Sequence, residues 1–410
     1  MRIFGKKGSA AERGLTPASA SQSAGGESQA DRAESYVKGS VDVPMLLITT
    51  ILVLFGCVMV YSASAVYAEQ YHDDSTYFIV RHLVFLLMAV AATFFIVKLC
   101  TPAFWEDFSL ILFGISILML LLVLVIGVDL GSGAKRWLDL GIFTVQPSEV
   151  AKMALVMALA KYMTKFRSRV QSEFSLVEEL KYGLLYPFLM IGAIAILVAA
   201  ERHISGLMII CMLGVSIMFL GGTRVRWLLA VGGLVVCAGC LLILVSDYAW
   251  ARVDTWINIE QADPLGSAWQ TLQGLMAIGS GGLFGVGLGN SRQKFGYVSQ
   301  PQNDFIFTII CEELGFFGAF LVIALFILFV WRGFTIARHA PNSFCSLVTY
   351  GLTFKVGLQV ILNIAVVTNS MPNTGISLPF FSYGGTSLIL QIIEVGIILS
   401  ISRYANHRKI

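Results

Sequence analysis

Residues 107–128 read DFSLILFGISILMLLLVLVIGV, and after Asp107 no charged side chain interrupts the run. At about 1.5 Å of rise per residue, a helix of this length crosses the roughly 30 Å hydrocarbon core of a bilayer. Only helices and closed barrels satisfy their backbone groups in lipid, and a barrel strand would alternate apolar with polar residues, which this run does not. The same signal recurs at 44–65, 80–99, 148–164, 183–200, 205–221, 227–246, 305–331, 345–368 and 384–402. The expected fold is therefore all-α, a polytopic integral membrane protein with about ten transmembrane helices.

Composition agrees. Of 410 residues 57% are hydrophobic and 13% charged, and the mean hydropathy is +0.78, whereas about a quarter of the residues of a soluble domain are charged. The net charge of +3 is not gathered into a basic face, so nucleic acid is excluded as a partner and membrane lipid is the environment. The seven cysteines fall in or beside apolar segments and read as small buried hydrophobes, not as metal ligands.

Three units follow. Residues 1–40, rich in Gly, Ser, Ala and Gln, are expected to be a disordered tail, with no apolar signal-peptide core before Val43. Residues 41–403 form the transmembrane domain, and 404–410 a short C-terminal tail. Of the 28 Lys and Arg, only Arg81, Lys135, Arg136, Arg202, Arg252, Arg292 and Lys294 fall in connections on one side, and Lys152 and Lys355 lie within spans. The remainder cluster in the tails and the opposite connections, which puts both termini in the cytoplasm. The outward connections 129–147, 247–304 and 369–383 carry Gly, Pro, Asn and Trp, and loops of that kind outside a membrane carry function.

Three polar clusters sit there. The first is Gly133-Ala-Lys135-Arg136-Trp-Leu-Asp-Leu-Gly141, followed by Gln146-Pro147-Ser148-Glu149 and by Lys152 one turn into the fourth span. Pro147 and Ser148 suit a helix start and Glu149 suits its positive end. A Lys in a span must face protein or water and find a carboxylate, and Glu149 at i−3 is the nearest. An ion pair that fixes packing and a ligand contact are both open readings of Lys152. The second cluster runs from Gln270 and Gln273 through Gly279, Gly281, Gly282, Gly285, Gly287 and Gly289 to Gln300-Pro-Gln-Asn303-Asp304-Phe305 and then Glu312-Glu313. No βαβ unit surrounds these glycines, so they predict a tight turn against the membrane and not a dinucleotide loop. Asp304, at the water boundary beside Phe305, is either a helix cap or a carboxylate whose pKa is raised by desolvation and which takes a proton from a sugar hydroxyl. Glu312, at i+8, lies nearer the face of Asp304 than Glu313 does, and pairing with a Lys is the simplest role for either. The third cluster is Gln359 and Asn363, then Asn369 to Ser387, including Asn373, Ser382, Gly384 and Gly385. It predicts a rigid turn lined with hydroxyls and amides.

Taken together and in this order, GAKRWLDLG with QPSEVAK, the glycine run before NDFIFTIICEELG, and PNTGISLPFFSYGGTS resemble the motifs of the SEDS family of cell-wall polymerases. Met59-Val-Tyr-Ser-Ala-Ser64 is similar to its cell-division (FtsW-like) branch more than to the RodA branch, and a sporulation homologue of the same branch is an alternative. The resemblance implies a SEDS-type fold and peptidoglycan glycosyltransferase activity on lipid II at the outer face of the cytoplasmic membrane, at the division septum. It places the catalytic aspartate on Asp304, which deprotonates the acceptor's 4-hydroxyl. It also implies a class B penicillin-binding protein, a transpeptidase, as partner, together with other divisome membrane proteins. Substrate-binding candidates are Lys135, Arg136, Gln146, Ser148, Glu149, Lys152, Asn303, Glu312, Glu313, Asn373, Ser382, Gly384 and Gly385. Lys135, Arg136 or Lys152 meets the leaving pyrophosphate; Mg²⁺ or Mn²⁺ carried by that pyrophosphate is a further expectation, although no metal-ligand cluster demands it. One departure is chain-specific: Glu201-Arg-His203-Ile-Ser205 stands where many members have Gln-Pro-Asp-Leu-Gly, so no carboxylate role passes to His203, while Glu201 offers a nearby negative charge. Ten spans with buried Lys and Glu also suit a lipid II flippase or another transporter, and a divisome scaffold recruiting a transpeptidase is a third reading.

Overall fold

The computed structural model describes residues 38–129, 134–139, 141, 143–171, 176–259, 261–263, 265–266 and 268–405. The tail expected at 1–40 and the C-terminal tail lie almost wholly outside the described residues. All ten expected segments are helical: α1 Val43–His72, α2 Tyr77–Leu99, α3 Pro102–Ile126, α4 Pro147–Lys165, α5 Leu176–Ala200, α6 Ile204–Leu220, α7 Val225–Val245, α10 Ile306–Arg338, α11 Ser343–Val367 and α12 Gly385–Ser402. The long outer connection holds two more helices, α8 Asp247–Ile257 and α9 Trp269–Ser280. Among the described residues the exceptions to the all-α expectation are a two-residue antiparallel ladder, β1 Leu138–Asp139 on β2 Thr144–Val145, and an isolated bridge between Val128 and Trp137.

Eight of the ten spans are long and apolar enough to cross a membrane by length and composition alone. The other two are α6, with 17 residues, and α4. α4 is the central helix, where every residue from Pro147 to Ala160 is buried, and it packs on α3, α5, α6 and α11. A helix surrounded by protein has no lipid to match, so it tolerates Glu149 and Lys152. Its small Ala151, Ala154, Ala158 and Ala160 let neighbours approach closely. Lipid-facing helices carry the opposite signature: Val80, Val84, Leu87, Met88 and Phe94 of α2 are exposed apolar side chains, as a bilayer requires.

α10 explains the glycine series. The helix breaks at Gly315 (φ 65°, ψ −162°), which parts the carbonyls of Glu312 and Glu313 from the N–H groups of Phe316 and Phe317. The glycine loop fills the break. Val286 and Gly287 donate to Glu312 O and Glu313 O, both at 3.0 Å, and Phe316 and Phe317 donate to Gly282 O and Leu283 O at 2.9 and 3.2 Å. All four freed backbone groups are thus satisfied inside the helix bundle, the condition for a broken helix at membrane depth. The approach leaves no space for side chains: a Cβ on Gly281 would lie 1.9 Å from Cys311 O, and one on Gly315 would lie 2.3 Å from Gly285 N.

Candidate functional site

The end of α3, the starts of α4, α10 and α12, the α5–α6 turn and the end of α11 meet at one end of the bundle. They enclose a cavity of about 430 Å³ lined by Arg136, Gln146, Glu149, Lys152, His203 and Asp304, among others. Asp304 precedes α10 and is followed by the buried Phe305. Its backbone carbonyl accepts from Asn363 Nδ2 at 2.7 Å, and the same amide donates to Ile376 O at 2.7 Å, so one α11 side chain ties the aspartate to the 369–383 loop. Gly375 of that loop (φ +68°) faces it, a Cβ there standing 3.6 Å from Asp304 Oδ2. Burial pushes the Asp304 carboxyl up to about 6, although backbone N–H groups and the nearby Arg252 pull it down. The raised carboxyl lines the cavity.

The wall opposite is a buried charge network. Lys152 Nζ lies 2.5 Å from Glu149 Oε1, as the i−3 spacing predicts, but Glu149 is shared: Lys355 Nζ lies 3.5 Å from its second oxygen and 2.5 Å from Glu394 Oε1. Two ammonium groups and two carboxylates from α4, α11 and α12 cancel where water is excluded. Lys152 also lines the cavity. Beside it, His203 Nδ1 lies 3.2 Å from Ser148 Oγ. Burial, then Lys152 and Arg136, push the His203 imidazole down to about 3, so it is neutral at physiological pH. Glu201 does not restore the missing carboxylate: burial drives it up to about 8 against the pull of Arg136, it is mostly protonated at neutral pH, and it does not line the cavity. Arg136 is aimed by its bonds to the carbonyls of Glu201 (3.4 Å) and Arg202 (2.5 Å).

Through Trp137, Gln300, Asn303, Tyr383 and Gly384 this polar cavity joins a groove of about 1010 Å³. The groove is lined by Phe78, Val80, Val84, Phe85 and Met88 of α2 and by Tyr67 of α1. The site is amphipathic, cationic and carboxylate-bearing at one end and mainly apolar at the lipid-facing other, where His72, Arg81 and Asp139 also stand on the groove's walls.

The structure brings Arg136, Gln146, Glu149, Lys152, Asn303, Asp304 and Gly384 to the cavity. Ser148 stands just behind it on His203, and Gly385 lines the apolar groove. Lys135 is exposed and outside both spaces. Asn373 lines a neighbouring cavity, and Ser382 Oγ is turned inward, accepting from Leu378 N at 2.8 Å. Glu312 and Glu313 do not face the cavity. Glu312 accepts from Ser291 Oγ (2.5 Å) and Arg292 N (2.9 Å), and Glu313 from Ser62 Oγ (2.6 Å) and Lys294 Nζ (3.0 Å). Both pin the glycine loop into the broken helix; the Lys partner expected for one of them comes from that loop. Sequence reading passed over Lys355 and Glu394 as site residues, although charges inside apolar spans signal them. It also passed over Arg252, whose role depends on how the outer loop folds back. Among the described residues no three His, Cys, Asp or Glu side chains gather as a metal site.

The family model described as "Cell cycle protein", which joins FtsW, RodA and SpoVE, matches residues 43–407. The chain belongs to this family. It is 38% identical to stage V sporulation protein E of Bacillus subtilis over 90% of this chain and 99% of that one. It is 36% identical to the probable peptidoglycan glycosyltransferase FtsW of Coxiella burnetii over 90% and 98%. Among solved structures, a chain of a peptidoglycan synthase complex described as coordinating polymerization and crosslinking superposes with a TM-score of 0.71 at 26% identity, over 88% of this chain and 98% of that chain. The rod shape determining protein RodA of Thermus thermophilus superposes with a TM-score of 0.66, also at 26% identity, over 89% and 98%. The fold is thus the SEDS-type polytopic bundle, and the chain is a multi-pass membrane protein.

Proposed function

We infer that this chain is a peptidoglycan glycosyltransferase that polymerises lipid II at the outer face of the cytoplasmic membrane, both termini being cytoplasmic. One observation carries the reading: Asp304, a carboxylate held near neutrality, opens onto a cavity that has Arg136 and Lys152 on its walls and merges with an apolar groove facing lipid. A substrate with a polyprenyl tail, a pyrophosphate and sugars asks for those three environments in that order. Relatives bearing the glycosyltransferase name at 33–36% identity support it.

The apolar groove holds the tail, and Lys152 and Arg136 meet the pyrophosphate. Asp304 takes the proton from the 4-hydroxyl of the acceptor sugar. That oxygen bonds to the anomeric carbon of the donor from the face opposite the pyrophosphate. The bond from that carbon to the pyrophosphate oxygen breaks, its electron pair leaving with undecaprenyl pyrophosphate, and configuration inverts from α to β. A general base contributes about 10²–10⁴-fold, and cations aimed at the departing charge add a term of similar size. Glu149, engaged by two lysines, is unsuited to ligate a metal. A divalent ion would be held by the substrate's phosphates, and no step is assigned to it.

Septal wall synthesis alongside a class B penicillin-binding protein and other divisome proteins is the cellular setting we assign, with the outer segment α8–α9 as the regulatory contact. The purified chain, given lipid II and a cognate transpeptidase, should produce glycan polymer. Transfer of labelled lipid II across vesicles without polymer would identify a flippase instead. Polymer that tracks only the partner's domain would identify a scaffold.

A further inference from the structure

A second cavity, of about 320 Å³, lies under the outer helices α8 and α9, and Arg252 lines both it and the Asp304 cavity. Its other walls include Thr255, Trp256, Gln270, Asn369 and Asn373. Building on the glycosyltransferase reading, we propose that this cavity is the subsite for the saccharide next to the reacting one in the growing strand, an N-acetylated β-1,4-linked amino sugar. The chemistry of the walls carries this. Trp256 presents an aromatic body fixed by the bond from its indole N–H to Asn369 O at 2.9 Å. Arg252 is anchored by donating to Asn373 O. The Gln270 and Asn373 amides hold long bonds, Gln270 to Ser299 O and from Asn373 Nδ2 and Asn373 from Gly375 N, all at 3.3 Å, so both amides can turn to sugar hydroxyl and acetamido groups. An aromatic face with neutral amides and hydroxyls suits neutral sugar, whereas Arg252 is the single charge named on the walls and stands at the boundary with the pyrophosphate-binding side. The volume fits roughly one or two sugar rings.

Geometry gives the direction. The apolar groove joins the Asp304 cavity through Trp137, Tyr383 and Gly384, whereas the amide-lined space joins it through Arg252. A strand whose anomeric carbon lies at Asp304 with its tail in the groove therefore sends its next sugar past Arg252 and beneath α8, toward the outside.

The test uses the full chain in detergent. Saturation-transfer NMR with the soluble β-1,4-linked tetramer of N-acetylglucosamine should give signal with the wild type and with Asn258→Ala, a change just past the end of α8 and outside the cavity. Signal should fall at least threefold in Ala251→Trp, which fills the space because Ala251 also lines it, and in Trp256→Ala, and return in Trp256→Phe. At matched lipid II consumption, Ala251→Trp and Trp256→Ala should shorten the mean strand severalfold. Equal tetramer signal in all five proteins, or none in the wild type, overturns the proposal. Unchanged strand length in both cavity variants, each with a wild-type unfolding midpoint, also overturns it. Tetramer binding that obeys the pattern in a protein that forms no polymer would instead sink the glycosyltransferase reading and leave a saccharide site.

Discussion

Glu394→Gln removes one of the two negative charges that balance Lys152 and Lys355. In the wild type Lys355 Nζ lies 2.5 Å from Glu394, with the two side chains 0% and 1% exposed, and 3.5 Å from Glu149. The variant leaves two ammonium groups sharing Glu149 away from water. Breaking a buried pair this way costs about 3–5 kcal/mol, because the uncompensated ion cannot be resolvated. Lys355→Met should cost a similar amount with the opposite sign of leftover charge, since Glu149 and Glu394 would then share Lys152. The double variant Lys355→Met/Glu394→Gln leaves the neutral Lys152–Glu149 pair at its 2.5 Å contact. It should therefore be more stable than either single variant, which requires a coupling energy larger than either single loss, above about 3 kcal/mol. Unfolding free energies of the four proteins in mixed detergent micelles give the cycle directly. Additive losses, with the double variant the least stable of all, would refute the claim that these four charges act as one compensated set.

Polymerisation at saturating lipid II should rise with pH through about 6 and then level, because Asp304 must be ionised to accept a proton; at pH 5 the rate should be about a tenth of its plateau. The same group has the opposite effect on stability. Its carboxyl is raised from 3.8 to about 6 in the folded protein, so stability present below pH 4 is lost as pH climbs through 6, by up to about 3 kcal/mol. Asp304→Asn should accordingly unfold at higher temperature than the wild type at pH 7.5, with the difference shrinking toward pH 4. Gly315→Ala should prevent folding or cost more than about 3 kcal/mol, since its φ of +65° and the 2.3 Å approach to Gly285 N admit no Cβ; yield and thermal midpoint in detergent report it. Glu313→Gln leaves Lys294 without its carboxylate, and limited proteolysis should then cut the 281–304 loop severalfold faster.

The transmembrane bundle was legible because lipid imposes one rule on every span, and runs such as 107–128 obey it openly. α4 was found by its apolar length, but its central position was not, since burial in protein instead of lipid leaves only a few charges as a trace. Asp304, Arg136 and the Glu149–Lys152 pair could be read from motif and spacing. The partners Lys355 and Glu394 come from α11 and α12, far along the chain, and only packing joins them to Glu149. Glu312 and Glu313 looked like site residues because a carboxylate inside a span invites that reading. The break at Gly315 and the loop that fills it depend on positive-φ glycines whose tertiary partners no local pattern discloses. The effect of Glu201 likewise turned on burial, which decides whether a carboxyl carries charge at all.

The most direct measurement is glycan polymerisation from lipid II by Asp304→Asn beside the wild type, both folded and both shown to bind the lipid. A drop of about 10²-fold or more with binding retained is the result expected of a carboxylate that takes the acceptor's proton. Polymer formed at close to the wild-type rate would contradict it.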